Sequence, residues 1–403
     1  MRRMDIVART IDFLGLRRSM AGLLGMVILI GMGERMAERF LPIYLLALGG
    51  GEFAVGLLNG LTNLLGALYS FPGGYLSDRI GAKRALLVFN LLTMAGFLVV
   101  ILVPSWPAVI GGSFLFLSWT AISLPATMGL VARVLPLNRR TMGVSMHSLV
   151  RRVPMALGPL VGGLFIAQWG ERDGVRLAFA AALAMAVAAI VMQQRLIEPD
   201  APKPSNAPGP RKNPLAVLAR MSPSLRSLLV SDILIRFCEQ IPYAFVVVWC
   251  MKTIEHPVSA FQFGILTSIE MTTAVLCYIP VAYFADQGGK KPFIAVTFVF
   301  FTLFPLLLLF CRSFAWLVGA FVLRGLKEFG EPTRKSLIMD LAPDDAKAAT
   351  FGAYYLARDV IVSIAAFGGL YLWKIAPEAN LLAAFAFGAL GTIGFVLRGK
   401  DAG

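Results

Sequence analysis

Apolar runs of about 20 residues, the length an α-helix needs to cross a bilayer, alternate with short polar segments along the 403-residue chain. Twelve such runs are predicted, near residues 20–48, 53–76, 84–104, 107–135, 142–168, 175–194, 227–251, 261–284, 291–311, 314–340, 349–373 and 379–398. The first is interrupted. The stretch GMGERMAERF, Gly31 to Phe40, sets Glu34, Arg35, Glu38 and Arg39 in the middle of an otherwise hydrophobic segment. On insertion scales each such charge costs about 2.5–3.5 kcal/mol at the bilayer centre, so a lipid-facing helix would not carry four. Runs 7 and 10 carry charges in the same way.

Composition agrees with this pattern. The chain is 58% hydrophobic and 15% charged, too little polar surface to cover a soluble protein of this length. The net charge of +14 raises the question of a nucleic-acid partner, and its distribution answers it. With the N-terminus taken as cytoplasmic, only five of the 37 Lys and Arg (Arg172, Arg176, Lys252, Arg312, Lys374) fall in loops on the opposite side. That is the positive-inside bias, and it predicts both termini in the cytoplasm of a multi-pass cell-membrane protein, the inner membrane in a Gram-negative cell. The basic balance therefore points to anionic headgroups and not to nucleic acid. The basic N-terminal tail leads into a long span with no small-residue cleavage site, unlike a signal peptide. The four cysteines, Cys238, Cys250, Cys277 and Cys311, lack paired spacing and read as packing residues, so no metal site is expected.

Between runs 6 and 7, EPDAPKPSNAPGPRKNP (Glu198–Pro214) cannot continue a helix and reads as an extended linker. The expected organisation is an N-terminal six-helix bundle over 1–195, a cytoplasmic linker over 196–226 and a C-terminal six-helix bundle over 227–403. The halves echo one another. GYLSDRIGAKR (Gly74–Arg84) aligns with AYFADQGGKKP (Ala282–Pro292) at an offset of 208, matching Tyr75 to Tyr283, Asp78 to Asp286, Gly81 to Gly289 and Lys83 to Lys291. Arg35-x-x-Glu38 returns as Arg236-x-x-Glu239, and Pro125, Pro136, Arg151 and Gly162 return as Pro332, Pro343, Arg358 and Gly369. An ordered series of matches at nearly constant offset marks an internal duplication, common in secondary transporters.

At GGYLSDRIGAKR the sequence resembles the major facilitator superfamily. Gly74, Leu76, Asp78, Arg79, Gly81, Lys83 and Arg84 fit its loop 2–3 signature, with Ala82 where a basic residue is common. The resemblance covers essentially the whole chain and implies an all-α membrane protein, twelve transmembrane helices in two pseudo-symmetric six-helix bundles. It also implies a conformational latch at Asp78, Arg79 and Lys83, supported by Gly74 and Gly81 and less firmly by Asp286, where Gln287 and Pro292 depart from the pattern. In run 5, PMALGPLVGG (Pro154–Gly163) resembles the motif of drug:proton antiporters, with Gly158, Pro159, Gly162 and Gly163 matching and Pro154 replacing the first glycine. The family's arginine in span 4 has no counterpart before Arg133, so coupling through it is not expected.

The buried charges form stripes. On a wheel of about 100° per residue, Glu34, Glu38, Arg35 and Arg39 fall near 0°, 40°, 100° and 140°. Asp232, Arg236 and Glu239 fall within about 60°, and Arg324, Lys327, Glu328, Glu331 and Lys335 within about 100°. The resemblance places runs 1, 4, 7 and 10 along a central cavity, and three of those four carry these stripes. These residues are therefore the substrate-binding and coupling candidates, with His147, Arg151, Arg152, Glu270, Arg358 and Asp359 behind them. The competing reading is structural: Arg35–Glu38 and Arg236–Glu239 are i,i+3 pairs that can satisfy each other. Glu34, near the middle of its span, is the best candidate proton carrier.

The function expected is secondary active transport: proton-coupled export (antiport) of a small anionic or zwitterionic, even amphiphilic, organic solute by a monomer using alternating access. Uptake of an organic anion, lipid-headgroup flipping and divalent-metal transport are alternatives on the same fold, and a non-transporting receptor is a further class. No H-E-x-x-H, G-x-S-x-G or phosphate-loop motif is present, which argues against an enzyme or a built-in ATP motor, and no cofactor is expected.

Overall fold

The computed structural model describes residues 18–117, 119, 140–198, 214–342 and 347–400. Among the described residues the structure is helical, with no strand. That is what a solvent without hydrogen bonds demands, because a helix satisfies its own backbone.

The helices are α1 (Arg18–Glu38), α2 (Leu41–Ala47), α3 (Gly51–Ile80), α4 (Ala82–Leu102), α5 (Trp106–Phe116), α6 (Arg140–Leu196), α7 (Pro214–Ala219), α8 (Pro223–Gln240) and α9 (Phe245–Val248). A π-helical turn, Trp249–Thr253, follows, then α10 (Ala260–Gly288), α11 (Lys291–Phe310), α12 (Phe314–Leu326), α13 (Glu331–Leu341), α14 (Lys347–Ile375) and α15 (Pro377–Arg398). Among the described residues eight helical stretches are long and apolar enough to cross a membrane, and Trp106–Phe116 and Phe314–Leu326 are shorter apolar helices. One of the eight, within α6, covers two predicted runs. Its helical geometry breaks only at Gly170 (φ 77°, ψ 176°), between the expected ends at 168 and 175.

Among the described residues three predicted runs are not single helices. Run 1 stops at Glu38 and restarts at Leu41, leaving Arg39 in the turn, with Pro42 in the first turn of α2 where its missing N–H costs nothing. Run 7 breaks after Gln240 next to Pro242, and run 10 breaks between Leu326 and Glu331. The wheel for run 10 assumed a continuous helix across this last break, and its phase fails there.

The chain forms two compact units, one of Met1–Gly50 and Leu68–Lys203, the other of Gly51–Ala67 and Pro204–Gly403. In the first, Met20, Leu23, Val27 and Ile30 of α1 pack with Leu86 and Phe89 of α4 and Ala186 and Ala189 of α6. In the second, Leu225 and Ile235 of α8 pack with Phe298 and Phe301 of α11, Tyr354 of α14 and Phe395 of α15. The start of α3 joins this unit through Asn59, which donates to the carbonyls of Gln240 (2.8 Å) and Ala366 (3.3 Å). Large apolar side chains such as Phe310, Ile364, Ile375 and Leu397 are exposed on the helix surfaces, as a lipid-facing protein allows.

The duplication is visible in the backbone. Gly81 (φ 91°, ψ 155°) and Gly289 (φ 84°, ψ 156°) take the same left-handed extended conformation at the start of α4 and the end of α10. Only glycine adopts it without strain.

Candidate functional site

The first unit carries the charged stripe of α1. Glu34 is buried, and Arg35 pairs with Glu38 at 2.7 Å. Arg151, on α6, lies within electrostatic reach of Glu34, Arg35 and Arg152. Close backbone approach brings α6 to this stripe. A Cβ on Gly158 would stand 2.6 Å from Cβ of Arg35, and one on Gly162 would overlap the carbonyl oxygen of Met36. Gly158 and Gly162 of the antiporter-like motif thus seat α6 on the charged part of α1, with Pro159 and Gly163 between and beside them. Gly369 repeats this against the carbonyl of Ile241.

Lys83 sits elsewhere. Its ammonium donates to the carbonyls of Gln194 (3.0 Å) and Ile197, satisfying acceptors left open at the end of α6. Beside it, Gln193 donates to the carbonyl of Lys83 and accepts from Asn90, which in turn accepts from the indole of Trp119. Gly74, Asp78 and Arg79 belong to the last turns of α3 and Asp286 to the last turn of α10, but their side chains, like that of His147, lie outside the described residues.

The second unit holds the larger constellation. Asp232, Arg236 and Glu239 recur at spacings of four and three and share one face of α8. From α10 comes Glu270, and from the end of α12 come Arg324 and Lys327. From α13 come Glu331 and Arg334, and from α14 Tyr354 and Arg358. These side chains connect into one series in which each of Glu270, Glu239, Glu331 and Asp232 is shared by at least two cations.

Glu270 Oε1 lies 3.2 Å from Arg324 Nε and 3.7 Å from Lys327 Nζ. Lys327 donates to Glu239 Oε1 at 2.6 Å, and Arg236 Nη1 reaches Glu239 Oε2 at 2.5 Å. Arg236 Nη2 then donates to Glu331 Oε2 at 3.1 Å. Arg334 Nη2 lies 2.8 and 2.7 Å from the two oxygens of Glu331, while its Nη1 donates to Asp232 Oδ1. Asp232 Oδ2 accepts from the Tyr354 hydroxyl at 3.1 Å and from Arg358 Nη1 at 3.4 Å. Arg358 finally pairs with Asp359 at 2.7 Å.

Exposure varies along the series, and Asp359 at its far end is 35% exposed. Side-chain exposure is 2–3% at Glu270 and Arg324 and 0–2% at Asp232 and Arg334, against 17% and 15% at Arg236 and Glu331. Aromatic faces line the cations. Arg324 stands 4.9 Å from the ring centre of Phe304, and Arg236 and Lys327 each 5.4 Å from that of Phe301, adding cation–π attraction in a site with little water. Taking an ion out of water costs several kcal/mol even after relaxation, which only good geometry with several partners offsets.

The sequence singled out Asp232, Arg236, Glu239, Arg324, Lys327 and Glu331, and all six join this series. Glu328 lies in the turn after α12, its N–H bonded to the carbonyl of Gly325, and Lys335 stands at the edge of the series, 3.5 Å from Glu331. Arg334 was missed. On a continuous wheel it falls outside the stripe of run 10, and the break before Glu331 rotates it in. The signal available was local: Arg334 follows Glu331 by three residues, the spacing of a helical ion pair. Tyr354 carried no charge to draw attention to it.

A family model described as Major Facilitator Superfamily matches residues 23–366. An uncharacterized MFS-type transporter of Methanocaldococcus jannaschii is 22% identical over 366 residues, covering 87% of each chain. One from Bacillus subtilis is 31% identical over 138 residues, 34% of this chain and 35% of its own. Similar solved folds include a POT family transporter in complex with 5-aminolevulinic acid, with a TM-score of 0.78 at 15% identity over 94% of this chain and 95% of that one. The nucleoside transporter NupG has a TM-score of 0.76 at 13% identity over 94% of this chain and all of its own, 100%. The human organic anion transporter MFSD10 has 0.65 at 19% identity over 94% and 99%.

Proposed function

Because the chain belongs to the major facilitator superfamily and is a multi-pass membrane transporter, we propose that it carries a small anionic or zwitterionic organic solute by proton-coupled secondary transport. The single observation behind this reading is the series in the second unit, five cations (Arg236, Arg324, Lys327, Arg334, Arg358) interleaved with Asp232, Glu239, Glu270 and Glu331. Guanidinium forks match carboxylates and phosphates in shape as well as charge. Each of the four carboxylates is engaged by cations, which weakens the divalent-metal reading. Among the solved neighbours, one is in complex with 5-aminolevulinic acid and one is named an organic anion transporter, which agrees with this solute class.

Glu34 is the proposed proton carrier of the first unit, buried next to the Arg35–Glu38 pair and within reach of Arg151. The motif at Gly158–Gly163 favours export in exchange for protons, with both termini cytoplasmic and the monomer as working unit. Uptake of an organic anion together with a proton is the second reading, favoured by the setting of Glu331. Liposomes holding the purified protein and an internal pH dye, offered pooled organic anions, zwitterions and cations, test the proposal. An anion or zwitterion pool should move protons, and Glu34→Gln should abolish that movement. Response to the cation pool alone would refute the assigned solute class.

A further inference from the structure

One carboxylate of the series stands apart from the rest. Glu331 is the first residue of α13, where helix N–H groups and the dipole favour an anion. Arg334 faces both of its oxygens at 2.8 and 2.7 Å, Arg236 approaches one of them from α8 at 3.1 Å, and Lys335 lies at 3.5 Å. It is also among the most exposed acids of the series, while Arg334 beneath it is sealed. Both arginines keep a buried Nε with no hydrogen-bond partner among the described residues, donor capacity that Glu331 does not use. A two-arginine fork with spare donors, partly exposed at Arg236 (17%) and Glu331 (15%), has the features of a receptor for a carboxylate. Here it holds the protein's own.

Resting on the function proposed above, we infer that Arg236 and Arg334 form the receptor for a carboxylate on the transported solute, with Glu331 the internal counter-ion that occupies it until the solute binds. Charge supports the exchange. Without Glu331, Asp232, Glu239 and Glu270 remain against five cations, so the fork would hold excess positive charge and attract an anion. The groups acting on Glu331 are Arg334 and Lys335 on its own helix, Arg236 on α8, and Arg358 and Tyr355 on α14, while Asp232, Glu239 and Glu328 act on its partner Arg236. When a solute carboxylate enters, two carboxylates share one fork, and their repulsion is relieved when one of them takes a proton from solvent. Solute and proton therefore bind together, which couples them in the same direction and favours the second reading above, uptake with a proton, over the exchange that the Gly158–Gly163 motif suggests.

The test is calorimetric titration of the purified full-length protein with benzoate at pH 6 and pH 8, with sulfate as a second anion and tetraethylammonium as the cation control. Wild type should bind benzoate more tightly at pH 6 and take up protons from the buffer. Glu331→Gln should bind benzoate about tenfold more tightly than wild type at pH 8, equivalent to about 1.4 kcal/mol, and lose the pH dependence. Combining Arg236→Gln with Glu331→Gln should restore the wild-type excess of one cation and erase the gain. A Glu331→Gln protein that binds neither benzoate nor sulfate better than wild type overturns the inference, as does a double variant that keeps the gain. Should Glu331→Gln fail to fold, Glu331→Asp keeps the charge but withdraws the carboxylate by one methylene, and an unchanged benzoate affinity there overturns the inference equally. Proton-coupled flux of any anion in liposomes, alongside such a negative result, leaves the proposed function standing and removes Glu331 alone.

Discussion

Asp232 offers the sharpest quantitative test of the ion-pair series. Its carboxylate is fully buried and accepts from Arg334, Tyr354 and Arg358, of which Arg334 is 2% and Arg358 7% exposed. Asp232→Ala takes one carboxylate from each of two buried guanidiniums, leaving Arg334 with Glu331 and Arg358 with Asp359, and removing one partner of a buried pair costs about 3–5 kcal/mol. At roughly 2–4 °C per kcal/mol for a folding unit of this size, the apparent Tm in detergent should fall by about 6–20 °C. Arg334→Ala should fall similarly. The double variant should lose less than the sum, by about 0.5–3 kcal/mol, because each single change already breaks the shared contact. Thermal unfolding followed by tryptophan fluorescence measures all three. A drop below about 2 °C for Asp232→Ala, set against the roughly 2–4 °C expected per kcal/mol, or strict additivity in the double variant, would refute the claim that this carboxylate anchors the series.

Other outcomes follow from particular contacts. Gly162→Ala pushes a methyl into the carbonyl of Met36 and should cost about 1–3 kcal/mol, read as a lower Tm, whereas alanine at Gly111, which faces open space, should cost no more than a few tenths. Gly81→Ala and Gly289→Ala should each destabilise by about 1–3 kcal/mol because both hold a conformation that needs glycine, and equal losses would confirm the repeat. Lys83→Met removes the donor to the carbonyls of Gln194 and Ile197 and should lower stability by about 0.3–1 kcal/mol. A loss of transport much larger than that small change would give Lys83 the latch role that the loop signature implies. Arg324→Lys keeps the charge but not the planar contact with Phe304, so anion-driven proton flux should fall by about tenfold or less, without the collapse expected of Arg324→Ala.

Much of this protein is legible in one dimension because lipid imposes so strict a rule. Where a backbone must satisfy itself, length and hydropathy locate helices, and the long helices observed overlap the runs read from the chain, whereas α7 (Pro214–Ala219) and the first turn of α8 fall in the stretch expected to be linker. The same rule makes a charge in such a run informative, so Glu34, Asp232, Arg236, Glu239 and Arg324 were identifiable as residues that avoid lipid. Gly81 and Gly289 were legible as a repeat from their matched surroundings, and the backbone angles agree.

Partnership was not legible. Which acid meets which base depends on how each helix is rotated, and the rotation is set by packing and by breaks. The interruption between Leu326 and Glu331 turned Arg334 inward and made it the hub between Asp232 and Glu331. Glu239 was expected to answer Arg236 and does, yet it also holds Lys327 from another helix. The amino-acid sequence determines that charges must be sheltered, since their transfer cost is a property of each side chain alone. Only the tertiary structure decides how they are sheltered, because ion pairing depends on distances between helices that no spacing along the chain records.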